Sequence, residues 1–169
     1  KPEIFVPYND RDQFLETLYA GAVPPVDRWP ENLEIPHVTP DLIPRLTLRP
    51  WRRNRNKDYR VLGEISFEYD GMAFTPQEGR SMFRQSDPER VLVRNLSAER
   101  ERISQLFDLP GVQRFVDDRR YDYYYSGNRP PQGRHDIEFP DARLTDILHN
   151  LATAGWFVET DGKLIRSAG

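Results

Sequence analysis

Apolar and polar positions along this chain change period several times. Val61, Gly63, Ile65, Phe67 and Tyr69 alternate with Leu62, Glu64, Ser66 and Glu68, the two-residue period of a strand with one face on a core. Leu46 and Leu48 alternate with polar neighbours in the same way. Asp70-Gly71 then supplies two residues that tolerate the positive backbone angle of a tight hairpin turn. The register it implies sets Tyr69 across from Met72 and Phe67 across from Phe74, on one apolar face. Residues 76 to 89, rich in Pro, Gly, Ser, Gln and charge, read as a loop. Arg90 to Arg94, with Val91 and Val93, reads as a further strand.

Beyond residue 95 the period lengthens. Ser97 is placed to cap a helix with Glu99 and Glu101 near its positive end and Ile103, Leu106 and Phe107 as its buried stripe; Asp108 to Gly111, with Pro110, stops it. Val112, Phe115 and Val116 form a second, short helical pattern. A loop with Gly127, Pro130, Pro131 and Gly133 comes next, and Ile137 and Phe139 suggest a short strand. The strongest helical stripe follows: Asp141 near the start, Leu144, Ile147, Leu148, Leu151 and Ala152 on one face, and Gly155 where a left-handed terminal residue is needed. Trp156 to Thr160 and Lys163 to Ser167 flank Asp161-Gly162 as a second hairpin, with Val158 facing Ile165.

Proline organises the first third. Nine of the 15 prolines, at Pro2, Pro7, Pro24, Pro25, Pro30, Pro36, Pro40, Pro44 and Pro50, lie within the first 50 residues, which is expected to exclude both sheet and long helix there. One helix fits ahead of that density, with Asn9 as cap, Asp10 and Asp12 in its first turn, and Phe14, Leu15, Leu18, Tyr19 and Ala22 at helical spacing. From Val23 to Pro44 an extended arm is expected to lay Trp29, Leu33, Ile35, Val38, Leu42 and Ile43 into grooves of the body. The fold class expected is therefore α+β, a mostly antiparallel sheet of hairpins packed against a few helices. Residues 1–44 would form the helix and arm, and 45–169 the body.

At 169 residues the chain is long enough for a single real core. Cysteine is absent, which excludes disulfides, thiolate metal sites and a cysteine nucleophile, and suits a reducing, cytoplasmic setting. With 24 basic and 27 acidic residues the net charge is -3, so a uniformly basic nucleic-acid coat is excluded while a local basic patch is not. A mean hydropathy of -0.76 and the lack of a long apolar run argue against a membrane partner. The chain starts at Lys1 with no basic-then-apolar leader, and is expected to be a piece of a longer protein.

Two stretches carry candidate binding chemistry. In RPWRRNRNKDYR, the cations Arg49, Arg52, Arg53, Arg55, Lys57 and Arg60 surround Trp51 and Tyr59, opposed only by Asp58. On a loop between two strands they suit phosphates, with Trp51 or Tyr59 stacking on a base. The same residues also fit an ordinary charged hairpin end with Trp51 packed against the sheet. Between Asp117 and Arg134, Arg119, Arg120, Tyr121, Tyr123, Tyr124 and Tyr125 make a candidate protein-docking surface, or alternate tyrosines packed on the core. His37, His135 and His149 are far apart without metal-ligand spacing, and Ser81, Ser104 and Ser126 lack a nucleophile context. No catalytic residue and no metal site is assigned.

Several of these segments taken in order resemble a known family. They are Pro44-Arg45-Leu46-Thr47-Leu48, Ile65-Ser66-Phe67-Glu68-Tyr69-Asp70-Gly71, Val93-Arg94-Asn95 running into the Glu99-containing helix, and Gly155-Trp156-Phe157-Val158-Glu159. The pattern resembles the region that precedes the ATPase core in bacterial helicase-like proteins of the Swi/Snf family, which are DNA-dependent ATPases. Members tend to carry Arg-Asp where this chain has Arg94-Asn95. The chain holds neither a G-x-x-x-x-G-K-[ST] phosphate loop nor an Asp-Glu pair on a strand to hold magnesium. The resemblance thus implies a non-catalytic accessory domain that positions or regulates a downstream motor in cis, with ATP and magnesium bound by that motor; residues 49–60 would then contact DNA or the motor. A stand-alone protein-interaction module using the tyrosine-rich surface is the alternative.

Overall fold

The computed structural model describes residues 35–53, 58–86, 88–117, 129–160 and 163–164. They divide into two units. Leu42–Gln77 and the residues from Ser97 onward form one, and Glu78–Leu96 with the described residues up to Asp41 form the other. The expected N-terminal helix and most of the expected arm lie outside the described residues.

The first unit is built on a long hairpin. Strands β2 (Leu42–Arg52) and β3 (Tyr59–Tyr69) pair antiparallel from Leu42↔Tyr69 to Arg52↔Tyr59. The alternation along β3 is as its sequence dictates: Val61, Ile65, Phe67 and Tyr69 are buried, and Glu64, Ser66 and Glu68 are half-buried on the other face. At its end the chain turns through Asp70 (φ 50°) and Gly71 (φ 81°) into β4 (Met72–Phe74), in the expected register of Tyr69↔Met72 and Phe67↔Phe74. Beyond the other half of β3 lies β8 (Ile137–Pro140), the strand expected from Ile137 and Phe139, and outside it β7 (Gln113–Arg114). Gly63 lets Ile137 come close, since a Cβ there would stand 2.7 Å from Ile137 Cγ1. On the far side, β9 (Phe157–Thr160) runs beside β2, and β10 (Lys163–Leu164) beside β9, giving the order β10-β9-β2-β3-β8-β7 with β4 against β3.

Several expectations are corrected. The proline-dense region is expected to exclude sheet, yet β2 contains both Pro44 and Pro50. β9 pairs with β2 only over Arg45–Leu48, so the two prolines stand beyond its ends. Their even spacing points both missing N–H positions to the side away from β3, so no ladder bond is lost. The β2·β9 pair is parallel, the one parallel pairing described in a sheet that is otherwise antiparallel, as expected. Val112 to Val116 do not form a helix: after Gly111 at φ 89° the chain forms β7 on the open edge of β8, because a single turn of apolar residues does not repay helix nucleation.

Two helices flank this sheet. Helix α1 (Leu96–Phe107) starts one residue ahead of Ser97, which therefore falls inside the first turn and not before it. Its buried residues are Leu106 and, unexpectedly, Glu99; Ile103 and Phe107 are half-buried. The Tyr69 hydroxyl donates to Glu99 Oε1 at 2.8 Å, with both residues buried. A 3-10 turn (Asp141–Arg143) leads into α2 (Leu144–Thr153), which buries Ile147 and Leu151 and leaves Ala152 exposed; Gly155 follows at φ 83°, as expected. Trp156 then packs against Phe67, with ring centroids 6.4 Å apart. Of the second expected hairpin, Lys163↔Thr160 and Leu164↔Glu159 are paired, while Asp161, Gly162 and Ile165 lie outside the described residues.

The second unit is a three-stranded sheet. The stretch 76–89, expected to be loop, holds β5 (Met82–Ser86), which pairs antiparallel with β6 (Glu89–Val93). Its polar composition is that of an edge strand covered on one side only. β1 (His37–Val38) lies parallel to β6, against the expectation of an unpaired arm, and Val91 N–H donates to Pro36 O at 2.8 Å. Arg94 is buried here, and its Nη1 donates to the carbonyls of Glu78 (2.6 Å) and Arg80 (2.9 Å), a clamp on the preceding segment.

Candidate nucleic-acid interface

Residues 49–60 were expected on a loop, but most of the described ones are strand. β2 continues to Arg52 and β3 begins at Tyr59, so strand periodicity sorts their side chains onto two faces. Arg49, Trp51 and Arg60 share a face with Arg45, Glu64, Glu68, Glu138 and Glu159; Arg52 and Tyr59 turn to the other. Arg53 N–H donates to Asp58 O at 2.9 Å, closing the hairpin end. Arg55 and Lys57 lie outside the described residues.

Ion pairs commit several of these cations to the sheet itself. Arg49 Nη2 bonds Glu64 Oε2 at 2.9 Å, and a Cβ on Gly133 would stand only 3.4 Å from its guanidinium carbon, so the group is held beneath the loop that carries Gly133. Arg60 Nη2 bonds Glu138 Oε1 at 3.2 Å with only 12% of its side chain exposed. Arg45 is committed in the same manner, to Glu68 (2.6 Å) and Glu159 (2.7 Å). This face is a ladder of internal ion pairs. An arginine already paired at such burial would have to leave a carboxylate behind to meet a phosphate, a costly exchange.

The two aromatics of the run divide likewise. Trp51 packs edge-on against Phe115, with ring centroids 6.2 Å apart and planes at 79°, and its indole Nε1 is buried and makes no hydrogen bond. Phe115 in turn meets the His135 ring at 5.3 Å, and His135 Nε2 lies 2.7 Å from Pro131 O. Trp51 is thus half-buried and part of the packing at the end of the sheet. Tyr59 is 48% exposed, with the Arg52 guanidinium over its ring at 5.8 Å. Of the expected set, the structure brings Arg52, Arg53 and Tyr59 together at the hairpin end and turns Arg49, Trp51 and Arg60 to internal roles.

The glutamates that neutralise Arg49 and Arg60 were not singled out from sequence. The signal for one was present: on a strand pair with this register, Glu64 lies diagonal to Arg49 on the same face. Glu138 arrives from a distant strand and carries no local signal. Arg119, Arg120, Tyr121, Tyr123, Tyr124 and Tyr125, the candidate docking surface, lie outside the described residues. His37, His135 and His149 are not brought together, and among the described residues no group of three or more acidic or histidine side chains is placed to hold a metal ion. An open groove of about 360 Å³ between α1 and α2 is lined by Leu106, Leu109, Leu151 and Trp156. Its one charged side chain, Arg102, donates to Ala154 O at 2.6 Å. No described helix is long and apolar enough to cross a membrane. No protein-family model matches the chain, and neither a curated protein nor a solved structure was found to match it.

Proposed function

We propose that this chain is a non-catalytic accessory domain of a bacterial Swi/Snf-family DNA-dependent ATPase, and that it meets DNA with the end of the β2–β3 hairpin. On this reading the ATP- and magnesium-binding motor lies downstream in the same cytoplasmic protein, and the domain positions or regulates it. The family part rests on the spaced sequence segments given above. The DNA-contact part rests chiefly on the cations and aromatic rings that the sequence gathers at 49–60, of which Arg52 and the exposed Tyr59 stand side by side at the described end of the hairpin. Cationic side chains gathered in one stretch of chain suit a phosphate backbone, whose binding is dominated by counterion release.

Salt-titrated DNA binding tests the interface. Arg52→Gln with Arg53→Gln should weaken binding and lower the salt slope by about one unit for each phosphate no longer neutralised. Arg49→Gln should leave both nearly unchanged, because its partner is Glu64. Unchanged affinity and slope in the Arg52/Arg53 variant would remove DNA contact from the proposal.

A further inference from the structure

We infer that the Asp70-Gly71 turn is a covalent modification site: the aspartate rearranges to isoaspartate, which makes the turn a substrate for a carboxyl methyltransferase that recognises isoaspartyl residues, and the rearrangement detaches β4. The step needs only water. The backbone nitrogen of residue 71 attacks Asp70 Cγ, its proton and a carboxyl oxygen leave as water, and a five-membered imide joins side chain to main chain. Water then reopens the ring, and opening at the backbone carbonyl carries the chain through the former side-chain carboxyl and leaves a free α-carboxylate. A side chain on the following residue would shield the attacking nitrogen, and glycine has none. The sequence holds two Asp-Gly pairs, Asp70-Gly71 and Asp161-Gly162, the second outside the described residues. Asp70 and Gly71 are both exposed, and a Cβ built on Gly71 would meet nothing within 4 Å, so no neighbouring group crowds the ring that forms. Pairing of β3 with β4 stops at Tyr69↔Met72 and β4 is three residues long, so fraying of this end frees the torsions of the turn at low cost. Asp136 shows the opposite case: its carboxylate is bonded to Ile65 N–H, Gln77 and Arg134, and the buried, β-branched Ile137 follows it.

An isoaspartyl residue lengthens the main chain by one carbon. The pairs Tyr69↔Met72 and Phe67↔Phe74 belong to a turn of two ordinary residues, both at positive φ. Slipping β4 by one residue does not restore them, because the slip moves Phe74 to the other face. Phe74 is buried, with its ring 6.0 Å from that of Tyr69. The rearranged turn therefore gives up β4 and opens Phe74, while the pairing of β2 with the other edge of β3 is untouched.

Incubation of the full chain for several weeks at physiological temperature and pH tests both parts. Trypsin places Asp70 in the peptide 61–80 and Asp161 in the peptide 144–163, so the two Asp-Gly sites are read separately. A purified isoaspartyl methyltransferase with S-adenosylmethionine should label the 61–80 peptide, which should also split chromatographically into isomers of equal mass. Asp70→Asn should gather the isoaspartyl product several-fold faster, since ammonia leaves the amide more readily, and Asp70→Ser should show none. In the isomerised fraction the amides of Met72–Phe74 should exchange with solvent faster, with those of β2 as in fresh protein. A 61–80 peptide that stays unlabelled in the native chain overturns the inference, and labelling of that peptide in a chain held in urea would then assign the protection to the folded turn. Isomerised protein with parental exchange over Met72–Phe74 overturns the detachment of β4.

Discussion

Ile65 occupies the one stretch of β3 that neither β4 nor β8 covers, for β4 pairs only with Phe67–Tyr69 and β8 only with Arg60–Gly63. Its backbone is completed by side chains: Asp136 Oδ2 accepts from Ile65 N–H at 2.7 Å, and Arg134 Nη2 donates to Ile65 O at 2.5 Å. Arg134 and Asp136 are themselves paired at 3.0 Å, and Gln77 Nε2 donates to the remaining carboxylate oxygen at 2.9 Å. Two charged residues thus stand in for a missing strand segment. Asp136→Ala should lower stability by about 1–3 kcal/mol, since it strands a backbone donor and breaks an ion pair of which the carboxylate is nearly buried. Asp136→Asn, which keeps an acceptor, should cost less. Urea denaturation checks both; a parental midpoint in the alanine variant would show that water replaces the carboxylate at no cost.

Among the elements, the β3–β4 turn isolates backbone geometry from packing. Asp70 and Gly71 both have positive φ, as a two-residue turn matching the strands' twist requires, and a Cβ at Gly71 would meet nothing within 4 Å. Gly71→Ala should therefore cost about 1 kcal/mol of backbone strain and nothing in sterics. Gly71→Asn, a residue that visits this region more readily, should recover part of the loss. Thermal denaturation of the two variants measures the difference, and an alanine variant as stable as the parent would mean that the turn relaxes to another type. The pairing of β3 with α1 rests on a different kind of bond, the buried Tyr69–Glu99 hydrogen bond. A carboxylate read from sequence as a helix-dipole partner is drawn into the interior by a tyrosine hydroxyl from the neighbouring strand.

Across the whole molecule, burial is unevenly distributed between the two units. The larger sheet buries Leu46, Leu48, Val61, Ile65, Phe67, Ile137, Phe139 and Val158, while the smaller unit has Ile35, Val91 and Leu92 as its buried apolar groups among the described residues. Local opening costs least where it exposes little apolar surface. Native-state hydrogen exchange should accordingly show the amides of Val91 and Leu92 exchanging through a lower-energy opening than those of Thr47 and Glu64, paired across β2 and β3. Equal opening free energies would mean that the chain unfolds as one cooperative block. At this scale charge is also internal before it is external: the polar sheet face spends Arg45, Arg49, Arg60 and Arg134 on its own glutamates and aspartate, leaving the hairpin end as the place where Arg52 meets an exposed aromatic ring.

What the sequence determined by itself is local. The alternation along β3, the Asp70-Gly71 turn with its register, and the α2 stripe closing on Gly155 are each written within a few residues, because a strand's period, a turn's sign of φ and a helix's repeat depend on near neighbours alone. Tertiary structure decided the rest. β5 is a strand because β6 offers it a ladder, β7 because β8 has an open edge, and β2 tolerates Pro44 and Pro50 because β9 is too short to need their N–H groups. The run of cations at 49–60 looks uniform along the chain, and only the strand register, with Glu64 on one neighbour and Glu138 arriving from a distant segment, separates those that hold the sheet together from those at its tip. Charges pair through space, and which ones meet follows from where the backbone brings them.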